Sequence, residues 1–542
     1  MRAASGLRYW LLQSGDGFLL PLVILAFFWQ LGAPALFDLD EGAFSAATWE
    51  MLQRHDFITT FLNGEPRFDK PILIYWLQAL SVSTFGLSEW SLRLPSALAA
   101  SAWVMTTYYF AKPRIPRRNA ILTAVMVATS AMIVIIGRAA IADALLNLLI
   151  ALTLFDIWRY WEQPSRMLLF RVFLWLGLGF LCKGPVAVAI PLVVSAFLYI
   201  SNGQWKTWLQ TVFSPFGLVV FLAVAAPWYI LEYLAQGQAF IDGFFFKHNV
   251  SRFSDTMEGH GGHLWYYFVA LPFMILPFSG LLVQVLRSHP SLSLPLSGEG
   301  AESGMPSSSS PDKGRLGRVS FTRFLWFWFL FVFVFFSFSN TQLPHYLLYG
   351  TTPLLLLLAK HCGDNPNRWL ALVPAILVAG ILLFLPELLA KAVTQNPTPY
   401  FQGLLEQFRK VTEAYYRLAV GIYLLALLAL LLWPKVQNYL RLIGAAILQT
   451  LFISSILIPV VAYTQQAAVQ DLARAARQMT GSTIVMDGVN MPSFTVYRQA
   501  LTPRRAPEIG EYVFSKEGHL QPAENYMTVF KQGGLILARR MR

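Results

Sequence analysis

Residues 17–41, GFLLPLVILAFFWQLGAPALFDLDE, decide how the rest of the chain is read. From Gly17 to Leu36 the stretch is almost wholly apolar, about the 20 residues a helix needs to cross roughly 30 Å of hydrocarbon. Asp38, Asp40 and Glu41 follow directly where the apolar run ends. A helix satisfies its own backbone polar groups in lipid, so the run reads as a span with its acids at the edge of the bilayer. It is long for the apolar region of a cleaved leader, and no convincing small-residue cleavage site precedes the acids.

The same pattern recurs along the chain. Of 542 residues, 56% are hydrophobic and only 13% charged, which excludes an ordinary water-soluble globule. The expected fold is an all-α polytopic membrane protein with about thirteen spans: 17–36, 92–111, 120–137, 144–160, 167–182, 186–201, 212–233, 264–286, 324–339, 343–359, 369–385, 418–433 and 442–463. Alternate connections carry the basic residues, among them Arg2 and Arg8, the cluster Lys112, Arg114, Arg117 and Arg118, then Arg159, Arg166 and Arg171. By the positive-inside rule these face the cytoplasm, so the N-terminus is expected inside and the C-terminus outside. The net charge of +12 largely reflects that bias, and no basic, aromatic-interleaved motif points to nucleic acid. Cys182 and Cys362 fall on opposite sides of the bilayer in this topology and are not expected to pair.

Within a membrane part expected over 1–463, three segments interrupt the spans. The first outer loop, 37–93, contains Phe44, Ala47, Met51 and Leu52 at near-helical spacing, the pattern of a helix lying on the membrane surface. Asp40 is a natural N-cap for it, with Glu41 favoured by the helix dipole, although Ala43 stands where a capping box would need Glu or Gln. A second outer loop, 232–263, includes FFFKHNVSRFSDTMEGHGGH, and the Ser/Pro/Gly-rich insertion 288–318 is expected to be a disordered cytoplasmic segment. The tail, 464–542, reads as a small soluble α/β domain: QQAAVQDLARAARQM as helix, and TIVMDGV, FTVYR, EYVFS and GGLILARR as strands.

Polar residues gather at the outward ends of different spans. RFDKPILIYW supplies Arg67, Asp69, Lys70 and Tyr75; IIGRAAIADALL supplies Arg138 and Asp143; LCKGP supplies Lys183; LPHYLL supplies His345 and Tyr346. Singly, each could be an interfacial anchor. Together they can line one cavity at the outer leaflet, where ionisable groups are costly unless paired, solvated or engaged by a charged ligand. His248, His260 and His263, with Asp69 as a fourth ligand, are a candidate structural zinc site, although their spacing matches no compact zinc signature.

The run LDEGAF…EML…HDF…G…RFDKP…YW, followed by Asp143, KGP, HNVSRF, LWYYF and LPHYLL, resembles the phospholipid-carrier-dependent glycosyltransferases of the GT-C superfamily. The resemblance is to the ArnT-type lipid A aminoarabinose transferases in particular, and more distantly to the protein O-mannosyltransferases. It implies a polyprenyl-phosphate sugar donor, usually undecaprenyl phosphate, held in an outer-leaflet cavity of the bacterial inner membrane, with transfer by inversion and no required cofactor. By position, the resemblance makes Asp40, Glu41 and Asp143 the catalytic carboxylates, and Lys70 and Tyr346 the donor-phosphate residues. Lys183, Arg138 and Arg252 join the phosphate set as nearby cations. Arg67 and His345 depart from the family pattern and, with Tyr75, are assigned to the acceptor and sugar pocket.

The chemistry agrees with that assignment. Breaking a sugar C1–phosphate bond leaves negative charge on phosphate, which fixed cations stabilise, while a carboxylate takes a proton from an acceptor hydroxyl. The leading expectation is transfer of 4-amino-4-deoxy-L-arabinose to lipid A or another periplasmic acceptor. A neutral hexose or mannose passed to a protein or glycan is the alternative within the class, and a lipid or solute transporter the alternative outside it. Transport predicts charges near the midplane and repeated halves; the charges here cluster at one face, and no internal repeat is seen.

Overall fold

The computed structural model describes residues 15–250, 262–288, 320–362, 366–395, 397–479 and 481–542. Arg252, His260 and residues 289–318 lie outside the described residues. The apolar runs form helices, as expected, but few are straight and full length. Three described helices are long and apolar enough to cross a membrane: Asp143–Glu162, Pro215–Gln236 and Asn438–Arg477. The number rises to five if each of two bent pairs counts as one span. Shorter apolar helices, including Val186–Ile200, Phe321–Ser337 and Arg417–Leu432, pack beside them.

The breaks have local causes. The run 120–137 bends by 60° between Arg117–Thr129 and Ala131–Gly137, where the Ala131 N–H leaves the helix to donate to Leu276 O at 3.1 Å. The run 264–286 divides into Tyr266–Met274 and Leu281–Ser288 around Pro277, which has no N–H to continue a helix. The run 343–359 starts as a 3₁₀ turn, Pro344–Gly350, before Thr351–His361 continues as an α-helix.

The first loop is more ordered than a connector. It holds the helix Asp40–Arg54, a two-stranded hairpin pairing Phe61–Leu62 with Glu65–Pro66, and the helix Leu73–Phe85. The first of these is a helix, as the spacing of Phe44, Ala47 and Met51 predicts, but it does not lie on a surface: every residue from Glu41 to Met51 is buried, so it is packed on all sides. The N-cap is Leu39 rather than Asp40, with no side-chain cap. Glu41 reaches back instead and accepts the Phe37 N–H at 3.0 Å.

Glu41 is the centre of this corner. Its Oε1 accepts from Arg93 Nε at 2.8 Å and from the Ala140 N–H at 2.7 Å, and its Oε2 accepts from an Arg93 terminal nitrogen at 2.8 Å. Arg93 sits near the start of the helix Glu89–Ala111, which opens on a Ser88–Ser91 capping box. Its remaining donors go to the carbonyls of Leu31, Pro34 and Ala35. Both side chains are only 4% exposed.

The C-terminal domain grows out of the bundle without a linker. Asn438–Arg477 is one 40-residue helix, so a boundary drawn at 463/464 falls inside it. A four-stranded sheet follows in the order Ile484–Met486, Tyr512–Lys516, Leu535–Arg540, Tyr526–Gln532, with the first pair parallel and the others antiparallel. One expected strand, FTVYR, is instead the helix Ser493–Arg498, and Tyr526–Gln532 is a strand the sequence analysis did not single out. The β-branched and aromatic composition of FTVYR suits a strand, but tertiary contacts override it: Phe494 stacks on Phe514 at 4.1 Å, and Thr495 and Tyr497 bond outward to the first loop.

Removing one member of a buried ion pair strands the other's charge. Glu41→Ala should therefore destabilise the protein by about 3–5 kcal/mol. The check is a lowered thermal unfolding midpoint of the purified protein, or its failure to accumulate in the membrane.

Candidate active site

The loop motif RFDKP folds into a compact charge cluster because Asp69 takes both neighbouring cations. Its Oδ2 pairs with Arg67 at 2.9 Å and its Oδ1 with Lys70 Nζ at 2.9 Å, while His248 Nδ1 lies 3.1 Å from the same Oδ1. Burial alone would raise the Asp69 carboxyl; Lys70, His248 and Arg67 outweigh it and hold the pKa well below the ordinary range. The Arg67 guanidinium donates to the Tyr75 hydroxyl at 3.3 Å and lies over the Phe44 ring, which stacks on Tyr75. Burial disfavours the Arg67 charge, but Tyr75, Asp69 and Asp40 together raise its pKa. Asp40 is thus close enough to this cluster to act on it.

Lys70, Asp69 and His248 line a cavity of about 400 Å³ together with Lys183 and Tyr346. The charged groups lie with Val186, Ala189, Ile190 and the rings of Phe331, Phe335 and Phe336 in its wall. The lining suits a ligand with an anionic head and a long hydrocarbon tail.

A second cluster sits behind Lys183. Asp143 Oδ1 accepts from Lys183 Nζ at 2.6 Å and from the Tyr349 hydroxyl at 2.8 Å, with His345 Nε2 at 4.0 Å. Asp143 is 4% exposed, and its Oδ1 ties Lys183 and Tyr349 together. Tyr349 was not singled out from the sequence, yet it donates to Asp143, accepts from Lys183 at 2.9 Å and lines the cavity. The signal was the spacing in PHYLLYG: in a 3₁₀ turn residues i and i+3 eclipse, which brings Tyr346 and Tyr349 to one side with ring centroids 6.4 Å apart.

Asp40 and Glu41, adjacent in sequence, have different fates. Glu41 is not available as a proton acceptor, because Arg93, Ala140 and Phe37 occupy both its oxygens. Burial would raise its pKa, but Arg93 and the backbone donors lower it. Asp40, the first residue of its helix, is exposed, and among the described residues its carboxylate makes no hydrogen bond. It lines a second cavity, about 370 Å³, with Asp38, Glu41, Arg93, Arg138 and a largely apolar wall that includes Leu31, Ile135 and Leu457.

Arg138 therefore does not join the Lys70 and Lys183 set, as the sequence expectation had it. It is 4% exposed and donates to Ala26 O, Trp29 O and Ser454 Oγ, and among the described residues no carboxylate lies within 4.0 Å of it. Desolvation and the nearby Arg93 lower its pKa to about 10 despite Glu41.

Of the candidate metal ligands, His248 and Asp69 meet, whereas His263 stacks on Trp265 and donates its backbone N–H to Gln342. Among the described residues no group of three or more His, Cys, Asp or Glu is placed to hold a metal ion. Cys182 and Cys362 are both buried free thiols.

One further carboxylate bears on the site. Asp38 accepts the Ser493 N–H at 2.9 Å and the Ser493 hydroxyl at 2.5 Å. Burial pushes its pKa up to about 7, against the Ser493 hydrogen bonds and with a contribution from Glu41.

Comparison with known proteins bears on this geometry. Residues 69–231 match the family described as dolichyl-phosphate-mannose-protein mannosyltransferase. An uncharacterized protein of Aquifex aeolicus is 30% identical over 290 residues, 52% of this chain and 65% of that protein. An undecaprenyl phosphate-alpha-4-amino-4-deoxy-L-arabinose arabinosyl transferase of Pectobacterium carotovorum is 27% identical over 277 residues, 50% of this chain and 49% of that one. The chain thus spans about half to two thirds of the curated relatives it matches. The crystal structure of ArnT from Cupriavidus metallidurans bound to undecaprenyl phosphate superposes with a TM-score of 0.77 at 17% identity, over 97% of this chain and 98% of that one.

The raised Asp38 pKa sets a pH dependence. The folded state favours the protonated acid, so its stabilising contribution is complete below the ordinary value of 3.8 and is lost as pH rises through about 7. The unfolding midpoint should therefore fall more steeply between about pH 4 and about pH 7 in the parent protein than in Asp38→Asn, where the titration is gone.

Proposed function

We propose that this chain, whose fold is that of the GT-C glycosyltransferases, is an inverting glycosyltransferase that takes its sugar from a polyprenyl phosphate. The observation that carries the reading is one cavity in which Lys70 and Lys183 accompany an apolar, aromatic wall, next to an exposed Asp40 with no hydrogen-bond partner among the described residues. The donor's phosphate meets the two lysines, and its isoprenoid chain lies along Ile190, Phe331 and Phe335. The acceptor approaches from the other side of Asp40, through the cavity that holds Arg138. In this reading the bundle lies in the bacterial inner membrane with this site and the C-terminal domain on the periplasmic face, an orientation that the basic residues of alternate connections support.

In the reaction, an acceptor oxygen bonds to the sugar C1 as the C1–O bond to phosphate breaks. The bonding pair leaves on the phosphate oxygen, where Lys70 and Lys183 stabilise the charge; donors aimed at developing charge commonly contribute a few kcal/mol each. Asp69 and Asp143 hold those lysines in place. A hydroxyl acceptor gives its proton to Asp40. A phosphate acceptor is already ionised, and Asp40 then stabilises the electron-poor sugar.

For the substrates we favour 4-amino-4-deoxy-L-arabinose and lipid A. The arabinosyl transferase name of the Pectobacterium protein supports the sugar, and the largely apolar wall of the second cavity supports a lipid acceptor. The mannosyltransferase family match keeps mannose transfer to a protein as the second reading.

Purified protein should transfer label from undecaprenyl-phospho-aminoarabinose to lipid A, and a donor bearing mannose should serve poorly; the reverse preference would select the second reading. Asp40→Asn should lower turnover by roughly 10²- to 10⁴-fold with a hydroxyl acceptor and less with a phosphate acceptor. Lys70→Ala should lose roughly 10²- to 10³-fold with either. Full turnover in both variants would remove the proposed site.

A further inference from the structure

The C-terminal domain touches the bundle at the residues that flank Asp40. Ser493 supplies its N–H and hydroxyl to Asp38, two positions before that acid. Gln466, on the long terminal helix, completes the clasp in the amide orientation its neighbours require, donating to Asp38 Oδ2 at 3.1 Å and accepting the Asp38 N–H at 3.1 Å. The Tyr497 hydroxyl accepts the Leu36 N–H at 2.7 Å and donates to Glu89 at 3.1 Å. Thr495 donates to Asn63 at 2.7 Å, and the Asn63 N–H is held by Glu50, so the loop beyond the Asp40 helix is fixed as well. The clasp is closely packed: a Cβ on Gly42 would stand 2.0 Å from Asp38 Oδ1 and 2.8 Å from the Ser493 N.

Asp40 thus lies between two anchors, Asp38 held by the C-terminal domain and Glu41 held by Arg93, while its own carboxylate bonds to neither. We propose that the C-terminal domain is a positioning element of the active centre, and that Ser493, acting through Asp38, sets the direction of the Asp40 carboxylate. Ser493 and Asp38 are positioning residues in this account. They act on the backbone from which Asp40 projects, so losing the clasp misaims the acid without altering the donor cavity around Lys70 and Lys183. The proposal rests on the glycosyl-transfer reading, and its test separates the two.

The test uses full-length protein with the undecaprenyl-phosphate-linked donor. Ser493→Ala and Asp38→Ala should each lower kcat about tenfold, since small misplacements of a reacting group are costly, while the donor KM stays within about twofold. Undecaprenyl phosphate itself should bind as to the parent. The double variant should be no slower than Asp38→Ala alone, because that change already removes the hydroxyl bond that Ser493→Ala loses. Asp38→Asn, which can still accept and donate to Ser493, should recover most of the turnover lost in Asp38→Ala. A merely structural clasp predicts instead a lower unfolding midpoint with kcat unchanged per folded molecule, or additive losses; either result overturns the proposal. If Ser493→Ala does not accumulate, Tyr497→Phe keeps the volume and breaks the adjacent tie, and unchanged kcat there counts against the proposal equally. An inactive Asp40→Asn beside a fully active Ser493→Ala would sink only the positioning role; a fully active Asp40→Asn would sink the transfer reading itself.

Discussion

The buried pair of Glu41 and Arg93 is the constraint on which the outer half of the molecule depends. Withdrawing two charges from water is expensive, and such a pair persists only where nearly every donor and acceptor is used. Here Arg93 holds the carbonyls of Leu31, Pro34 and Ala35, and Glu41 holds the Phe37 and Ala140 N–H groups. One contact thereby fixes where the first apolar helix ends, where Asp40–Arg54 begins, and how the hairpin before Asp143 lies against both. The three acids that follow the first span consequently have three roles: Asp38 is clasped, Glu41 is locked, and Asp40 projects.

The cations divide in the same way. Lys70 is paired with Asp69 and Lys183 with Asp143, so in the cavity these two lysines share each positive charge has a carboxylate to orient it. Arg138, on the other side of Asp40, is surrounded by neutral oxygens. The two cavities thus differ in electrostatic character as well as position.

Much of this was legible in the sequence, and what was not has a common cause. RFDKP is contiguous, so the Arg67–Asp69–Lys70 cluster could be read directly, and the helix after Asp40 followed from the spacing of Phe44, Ala47 and Met51. Glu41 was taken for a reacting acid because its partner lies 52 residues away, and Arg138 was grouped with the lysines because both stand at outward ends of spans. Tyr349 depended on a turn being 3₁₀ rather than α. FTVYR looked like a strand by composition, and the Asp38–Ser493 clasp joins positions 455 apart, beyond the reach of any local pattern. The long apolar runs announced helices but not the bends at Ser130 and Pro277, which arise where backbone donors or acceptors find partners on neighbouring segments.

The continuous helical run Asn438–Arg477, with one π turn at Ile453–Leu457, gives the C-terminal domain a stem rather than a tether. An α-helix turns about 100° and climbs about 1.5 Å with every residue, so its length sets the azimuth of whatever it carries. One amino acid inserted between Ser454, which meets Arg138, and Gln466, which meets Asp38, would swing the sheet and the Ser493 helix round by more than a quarter of a circle. That twelve-residue interval works as a spacer whose tolerance is in whole turns, much as a key is cut to the depth of its lock.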